Sequence, residues 1–298
     1  WLGSVLMNRL KDEAIEICGN TQIDTLKPRS NGIDISMKVG ANSSQEELNV
    51  RTDLIIIADG ADSTTAHKLG INSRRSAYGQ TAIIANIQLN QRHQGVAYER
   101  FTDQGPMALL PLPDYKGQYR SALVWAQPEE TASQLVEATD EDFLRSLQQH
   151  FGHRLGTFKQ VGQRTAYNLV LTLASEQVRR NVVVMGNAAH SLHPVAGQGF
   201  NLSLRDAAAL ADKLSEARIQ QKSIGSLETL ECYYQQQRID QRNTLVFSDS
   251  LTKFFAGPSN AAAMGRNSGL LALDLVPQLR HRFIKFGMGM TVPEARHG

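Results

Sequence analysis

The chain holds 298 residues, 41% of them apolar and 20% charged, a balance that supports a sizeable core and excludes an intrinsically disordered chain. At about 150 residues per domain, the length points to two domains or one large one. Lys and Arg number 31 against 29 Asp and Glu, for a net charge of +2. A dedicated nucleic-acid binder would carry a basic surplus, so no nucleic-acid partner is expected.

Leu2, Val5, Leu6 and Leu10 recur at helical spacing, so Trp1 to Leu10 reads as an amphipathic helix. Ala14 to Cys18 is a short apolar run and reads as a strand. Ile33, Ile35, Met37 and Val39 alternate with Asp34, Ser36 and Lys38, the period of a half-buried strand. Gly40 to Gln45 is turn chemistry, and Leu48 to Arg51 reads as the return strand. Leu54 to Ala58 is a β-branched run without polar alternation, as expected of a parallel strand covered on both faces. Asp59-Gly60-Ala61-Asp62-Ser63 follows, then a helix from Thr64 to Leu69, completing an α/β unit.

From about Ser76 to Thr172 the pattern changes. Ala82 to Leu89, Val96 to Thr102, Met107 to Leu112 and Tyr119 to Gln127 read as strands of a mainly antiparallel sheet inserted into the α/β part. Asp140 to Phe151 reads as a helix capped by Asp140. Val182 to Met185 returns as a second buried strand, followed by the glycine-rich loop Gly186 to Gly199 and a helix from about Asn201 to Leu214. Leu227 to Phe255 reads as one long helix. No run is apolar for long enough to cross a bilayer. Cys18 and Cys232 lie far apart and cannot build a disulfide framework or a four-thiolate zinc site. They read as buried apolar fillers in a reducing compartment.

The chemistry concentrates in Gly186 to Asp206. A buried strand delivers this loop to the C-terminal edge of a sheet, where α/β proteins bind ligands. Gly186, Gly197 and Gly199 carry no Cβ, so a flat or phosphorylated ligand can approach the backbone. The helix that follows presents free N–H groups and the positive end of its dipole. Asn187 offers both a donor and an acceptor to ligand hydroxyls. His190 and His193 lack a carboxylate or thiolate to complete a metal site, and no metal is expected. His190 is expected to hydrogen-bond loop backbone. Ser191 lacks the strained elbow of a hydrolase nucleophile. Arg280, Arg282 and Lys285, interleaved with Phe283, Ile284 and Phe286, form a basic amphipathic stretch. It reads first as a solvated helix end and second as a site of shallow membrane contact.

The run from His193 to Asp206 (His-Pro, an aliphatic pair, Gly-Gln-Gly, then Asn201 and Asp206) resembles the signature of the ubiquinone-biosynthesis FAD-dependent hydroxylases, a branch of the class A flavoprotein aromatic hydroxylases. Ser203 departs from it, standing where the pattern has Gly. Gly186-Asn187 sits where the family commonly has Gly-Asp, and the Asn form is similar to the 2-octaprenyl-6-methoxyphenol hydroxylase subgroup. The resemblance implies FAD contacts from Gly186, Asn187, Pro194, Gly197, Gln198, Gly199, Phe200 and Asn201. Upstream, Asp59-Gly60 matches the family's Asp-Gly turn near the pyrophosphate and ribityl chain. Gly105 to Leu112 resembles a substrate-domain strand beside the flavin.

The implied fold is α/β. It comprises an incomplete FAD-binding domain at 1–75 and 181–226, a substrate-binding sheet domain at 76–180, and a C-terminal helical region at 227–298. The implied activity is NAD(P)H- and O2-dependent hydroxylation of a polyprenylated phenol through a flavin C4a-hydroperoxide. No catalytic residue or general base is singled out. The expected location is cytoplasmic, peripheral to the inner membrane at most. A homo-oligomer or a multienzyme ubiquinone-synthesis complex is the expected setting.

The Gly-x-Gly-x-x-Gly unit that holds the ADP half of FAD in this family does not occur here. The resemblance runs from about Trp1 to about Arg282, so roughly the first hundred residues of the parent are expected to be missing. Such a chain would hold FAD weakly or not at all, would be inactive by itself, and would leave a bare sheet edge. A flavin-dependent reductase of the same fold and a flavin-free assembly partner stand as alternatives.

Overall fold

A computed structural model describes residues 2–40, 46–102, 104–256, 271 and 274–287. Trp1 and residues 41–45 of the expected turn lie outside the described residues. Helix α1 (Leu2–Lys11) is followed by an antiparallel sheet in the order β1 (Thr21–Arg29), β2 (Gly32–Val39), β3 (Glu46–Thr52). The period of two in β2 buries Ile33 and Ile35. Strand β1 has no apolar alternation in the sequence. Its Pro28 is tolerated because β1 is an edge strand. Ala14–Cys18 forms no strand. No described strand lies beside it to pair with, and Ile15 and Ile17 stay about half exposed. Both cysteines are exposed rather than buried fillers.

The second sheet has the order β11 (Val178–Arg179), β12 (Val182–Val184), β4 (Ile55–Ile57). Strands β12 and β4 run parallel, with Val182 opposite Ile55 and Val184 opposite Ile57. All three β12 valines are 0% exposed. Strand β4 is covered on one face only, since Ile55 and Ile57 are buried while Ile56 is 44% exposed. Its outer edge carries no strand among the described residues.

The third sheet is built on the long β5 (Ser73–Leu89). Its order is β13 (His190–Ser191), β10 (Thr165–Ala174), β5, β8 (Gln118–Pro128), β7 (Pro106–Tyr115), β6 (Tyr98–Phe101), and β9 (Phe158–Val161) also pairs with β5. One face buries Ile83, Ile87, Met107, Leu109, Leu123 and Trp125 against α3 (Glu129–Glu137) and α4 (Asp140–Phe151). The opposite face carries Ala82, Ala126 and Leu169 with half-buried Tyr78 and Ile84. Thr139, not Asp140, caps α4: its Oγ1 accepts the Asp142 N–H at 3.2 Å, and Asp140 instead adds charge to the first turn. The chain is thus mixed α/β, with a curled antiparallel sheet and C-terminal helices.

Short helix α2 (Thr64–Lys68) follows β4. Helices α5 (Gln198–Ile219) and α6 (Leu227–Ala256) pack antiparallel, burying Leu210 with Leu230 and Tyr233. Helix α7 (Pro277–Gly287) touches α6 through the Phe283 and Phe247 rings, 5.8 Å apart. Among the described residues no helix is long and apolar enough to cross a membrane.

Candidate functional site

Parallel pairing of β4 with β12 sends the chain out of both strands in the same direction. The last rung is closed by the Met185 N–H donating to the Ile57 carbonyl at 2.9 Å. Asp59-Gly60 begins two residues beyond that carbonyl, and Gly186 begins one residue beyond that amide. The two turns singled out in the sequence therefore leave neighbouring strand ends, at the sheet edge where α/β proteins place ligands.

The Asp59 turn is braced on α2. The Thr65 N–H donates to Asp59 Oδ2 at 3.3 Å, and Ser63 Oγ caps the helix by accepting the Ala66 N–H at 3.0 Å. Partial burial pushes the Asp59 carboxyl up, but hydrogen bonds from Ser63 and Thr65 outweigh it and hold the group below its ordinary range. Gly60 has φ +99° and open space where a Cβ would stand.

The second turn is held from beneath. Gly186–Ala188 is a single 3-10 turn with Asn187 exposed above it. His190 is buried, and its Nε2 meets Asp206 Oδ2 at 2.7 Å. This corrects the expectation that it bonds loop backbone, because Asp206 rises from the third turn of α5 beneath the loop. Gln241 of α6 donates to both Asp206 oxygens, at 3.2 and 3.1 Å. The neighbouring Arg205 pairs with Asp240 at 2.6 Å. His193 Nδ1 accepts the Val195 N–H at 3.2 Å, and its Nε2 faces Gln80 Oε1 at 3.3 Å. Burial takes the His193 imidazole down to about 4. The ring of Tyr78 lies edge-on to it at 5.0 Å. Burial, with added repulsion from Asp249, raises the Tyr78 phenol to about 12.

The open side of the loop leaves unfilled space beside an uncapped helix start. Gly197 (φ +59°) starts α5 without a side-chain cap, and no acidic residue lies in the first turn. The amide dipoles there meet no counter-charge from the helix itself. A Cβ on Gly197 or Gly199 would meet nothing within 4 Å. Half-buried Pro194 and exposed Phe200 and Asn201 border this space, whereas Gln198 is buried. Ser203, the departure from the family pattern, donates its hydroxyl to the Gly199 carbonyl at 3.0 Å. It therefore adds no unpaired polar group.

A flavin fits these residues: a glycine-lined opening, an uncapped helix end and a paired turn on the adjacent strand. Beside it stands the second face of the curled sheet. There the cross-strand row Ala108, Val124, Ile84 and the neighbouring pair Leu110, Ala122 present an apolar, partly exposed wall. Tyr78, Gln80, Asp206 and Gln241 carry the bracing, together with Ser248 of α6, whose Oγ donates to the His193 carbonyl at 3.3 Å. Sequence spacing gave no sign of them except Asp206, which closes the motif.

The architecture is that of the flavoprotein hydroxylases. It matches the OxyS anhydrotetracycline hydroxylase of Streptomyces rimosus with a TM-score of 0.70 at 20% identity, over 99% of this chain and 57% of that one. The chain belongs to the FAD binding domain family, whose pattern matches residues 2–239. It is 35% identical over 240 residues to the ubiquinone hydroxylase UbiL of Rhodospirillum rubrum, covering 80% of this chain and 55% of that protein. It is 30% identical over 244 residues to the 3-demethoxyubiquinol 3-hydroxylase of Escherichia coli, covering 81% of this chain and 60% of that protein. The chain thus spans little more than half the length of these relatives.

Proposed function

We propose that this chain forms part of an FAD-dependent monooxygenase that hydroxylates the ring of a polyprenylated phenol in ubiquinone biosynthesis, drawing electrons from NAD(P)H and oxygen from O2. The observation that carries this reading is the junction of the Asp59-Gly60 and Gly186–Gly199 turns at adjacent parallel strand ends, beside an apolar sheet face. The activities printed for the relatives supply the reaction class.

Asp59, Gly60, Gly186 and Asn187 would hold the polar chain of FAD. Pro194, Gly197 and Gly199 would face its ring system, and the α5 N-terminus would favour negative charge on it. Bound FAD would supply the redox and oxygen-activating chemistry that no amino-acid side chain provides. The chain's own contribution is positional. The Ala108–Val124–Ile84 wall orients an apolar ring and keeps water from it. His193, held neutral by burial, keeps the loop against the sheet through Gln80. The His190–Asp206–Gln241 chain fixes the loop on α5 and α6.

The test is genetic. Deleting the gene should accumulate a quinone precursor one hydroxyl short. The intact gene should clear it, and a copy carrying Gly197→Val and Gly199→Val should not. Unchanged quinone synthesis in the deletion would contradict the reading.

A further inference from the structure

Strands β4 and β12 lead into the Asp59 and Gly186 turns at one end and begin beside a different opening at the other. Asp53 lies two residues before β4, and Asn181 lies one residue before β12. Around them is a cavity of about 760 Å³, closed by the β1–β2 turn at Ser30, the end of α5 at Arg218 and the α5–α6 loop at Lys222 to Ser226. Asn181 is 4% exposed and ties the floor together. Its N–H donates to the Gly225 carbonyl at 2.8 Å, and its carbonyl accepts the Ile55 N–H at 2.9 Å. Its Nδ2 donates to the Asp53 carbonyl at 2.6 Å. A Cβ on Gly225 would stand 2.2 Å from both Asn181 Nδ2 and the Asp53 carbonyl oxygen, so no side chain fits there. Ser226 Oγ accepts the Thr229 N–H at 3.2 Å and fixes the far end of the loop.

This lining is polar and cationic. Arg180 and Arg218 enter it from different elements, and neither guanidinium forms an ion pair or hydrogen bond with a described residue. Lys222 adds a third cation, paired with Glu228 at 3.0 Å. Ser30 and Ser223 add hydroxyls. Among the described lining residues Asp53 is the one carboxylate and Ile224 the one apolar side chain.

We propose that this cavity binds a phosphate monoester that carries hydroxyl groups, a sugar phosphate or a nucleotide. Two guanidiniums without protein partners, with Lys222 beside them, match a dianion that offers several acceptor oxygens, and Arg presents its donors to such oxygens in pairs. A bare polyanion would set like charge against Asp53. A monoester with hydroxyls instead gives the Asp53 carboxylate donors to accept. An acidic peptide would find little apolar anchorage, since Ile224 alone offers it. The ligand would join the β1–β2 turn, the β11–β12 turn and the α5–α6 loop, and so would stabilise the folded chain by mass action. The site takes no part in the hydroxylation proposed above.

Calorimetric titration of the chain with ribose 5-phosphate, AMP, inorganic phosphate and ribose tests this without flavin or phenol, so a failure would leave the hydroxylase reading untouched. Ribose 5-phosphate should bind more tightly than inorganic phosphate, and ribose alone should not bind. The unfolding temperature should rise with ribose 5-phosphate and not with sodium chloride at the same ionic strength. Tighter binding of AMP would assign the ligand's base to the cavity as well, and equal or weaker binding would assign the sugar phosphate alone. Arg180→Gln and Arg218→Gln should each weaken binding on the order of tenfold. Both arginines are exposed, so the urea midpoints of these variants without ligand should match the parent. Asp53→Asn should strengthen binding of inorganic phosphate and shrink the advantage of ribose 5-phosphate over it. No binding, binding indifferent to both arginine variants, the same response to sodium chloride, or tighter binding of polyglutamate than of ribose 5-phosphate would each overturn the proposal.

Discussion

His190 and Asp206 stand 16 residues apart in the chain and meet at 2.7 Å, both side chains fully withdrawn from solvent. Asp206 thereby ties the loop to the helix that follows it, and Gln241 ties both to α6. Replacing Asp206 with Ala would leave the donors on His190 and Gln241 buried without an acceptor. The expected cost is roughly 3 kcal/mol of unfolding free energy, read from the urea midpoint. Asp206→Asn should cost less, since it keeps one acceptor oxygen. A midpoint unchanged in Asp206→Ala would show that the loop does not depend on this brace.

Gly197 and Gly199 separate folding from ligand approach. An L side chain at Gly197 is strained by its φ of +59°, so Gly197→Ala should cost about 1 kcal/mol of stability. Gly199 has no such φ and open space around it, so Gly199→Ala should fold as the parent does. Both methyl groups would enter the open space proposed for the flavin. Both should therefore weaken FAD binding on the order of tenfold, the effect of about 1.4 kcal/mol of crowding, as read by flavin fluorescence titration. An FAD affinity untouched in Gly199→Ala would move the ligand elsewhere.

His193 sets an acid limit. Its imidazole titrates near 6.5 in the unfolded chain and at about 4 in the folded one. Between those values the unfolded chain binds the extra proton. The stability is thus fully present above pH 6.5 and falls as pH drops, by roughly 3 kcal/mol at pH 4. His193→Gln should flatten the dependence of the urea midpoint on pH between 6.5 and 4.5. A slope identical to that of the parent would assign acid sensitivity to another group.

Neighbouring leucines on β7 should behave oppositely. Leu109 is 0% exposed in the core beneath α4, whereas Leu110 is 42% exposed on the other face. Leu109→Ala should lose 2–5 kcal/mol, on the order of a buried leucine truncation. Leu110→Ala should leave thermal stability nearly unchanged while weakening capture of an apolar phenol. Equal losses of stability would show that the sheet does not present two distinct faces.

What could be read from the sequence follows its physical signals. The period of two in β2 and the unbroken β-branched runs of β4 and β12 each carry a local signature, and both runs became paired strands. The glycine positions of the loop also announce themselves, since backbone turns and ligand approach require that residue. Strand β1 was invisible because an edge strand needs no apolar alternation, and Ala14–Cys18 misled because an apolar run becomes a strand only beside a partner. The 44% exposure of Ile56 could not be foreseen, because two-faced burial depends on neighbours that the run itself does not specify. The bracing of His190 and His193 escaped for a related reason. Tyr78 and Gln80 on β5, Asp206 on α5 and Gln241 on α6 reach the loop from three places in the chain, and no spacing rule links them.

Hydrogen exchange of the chain with and without saturating FAD tests the central claim most directly. Amides of 58–63 and 186–201 should slow together, since on the proposed reading both turns would contact one ligand at adjacent strand ends. Slowing of one turn without the other, or of neither while amides elsewhere slow, would contradict a shared flavin seat.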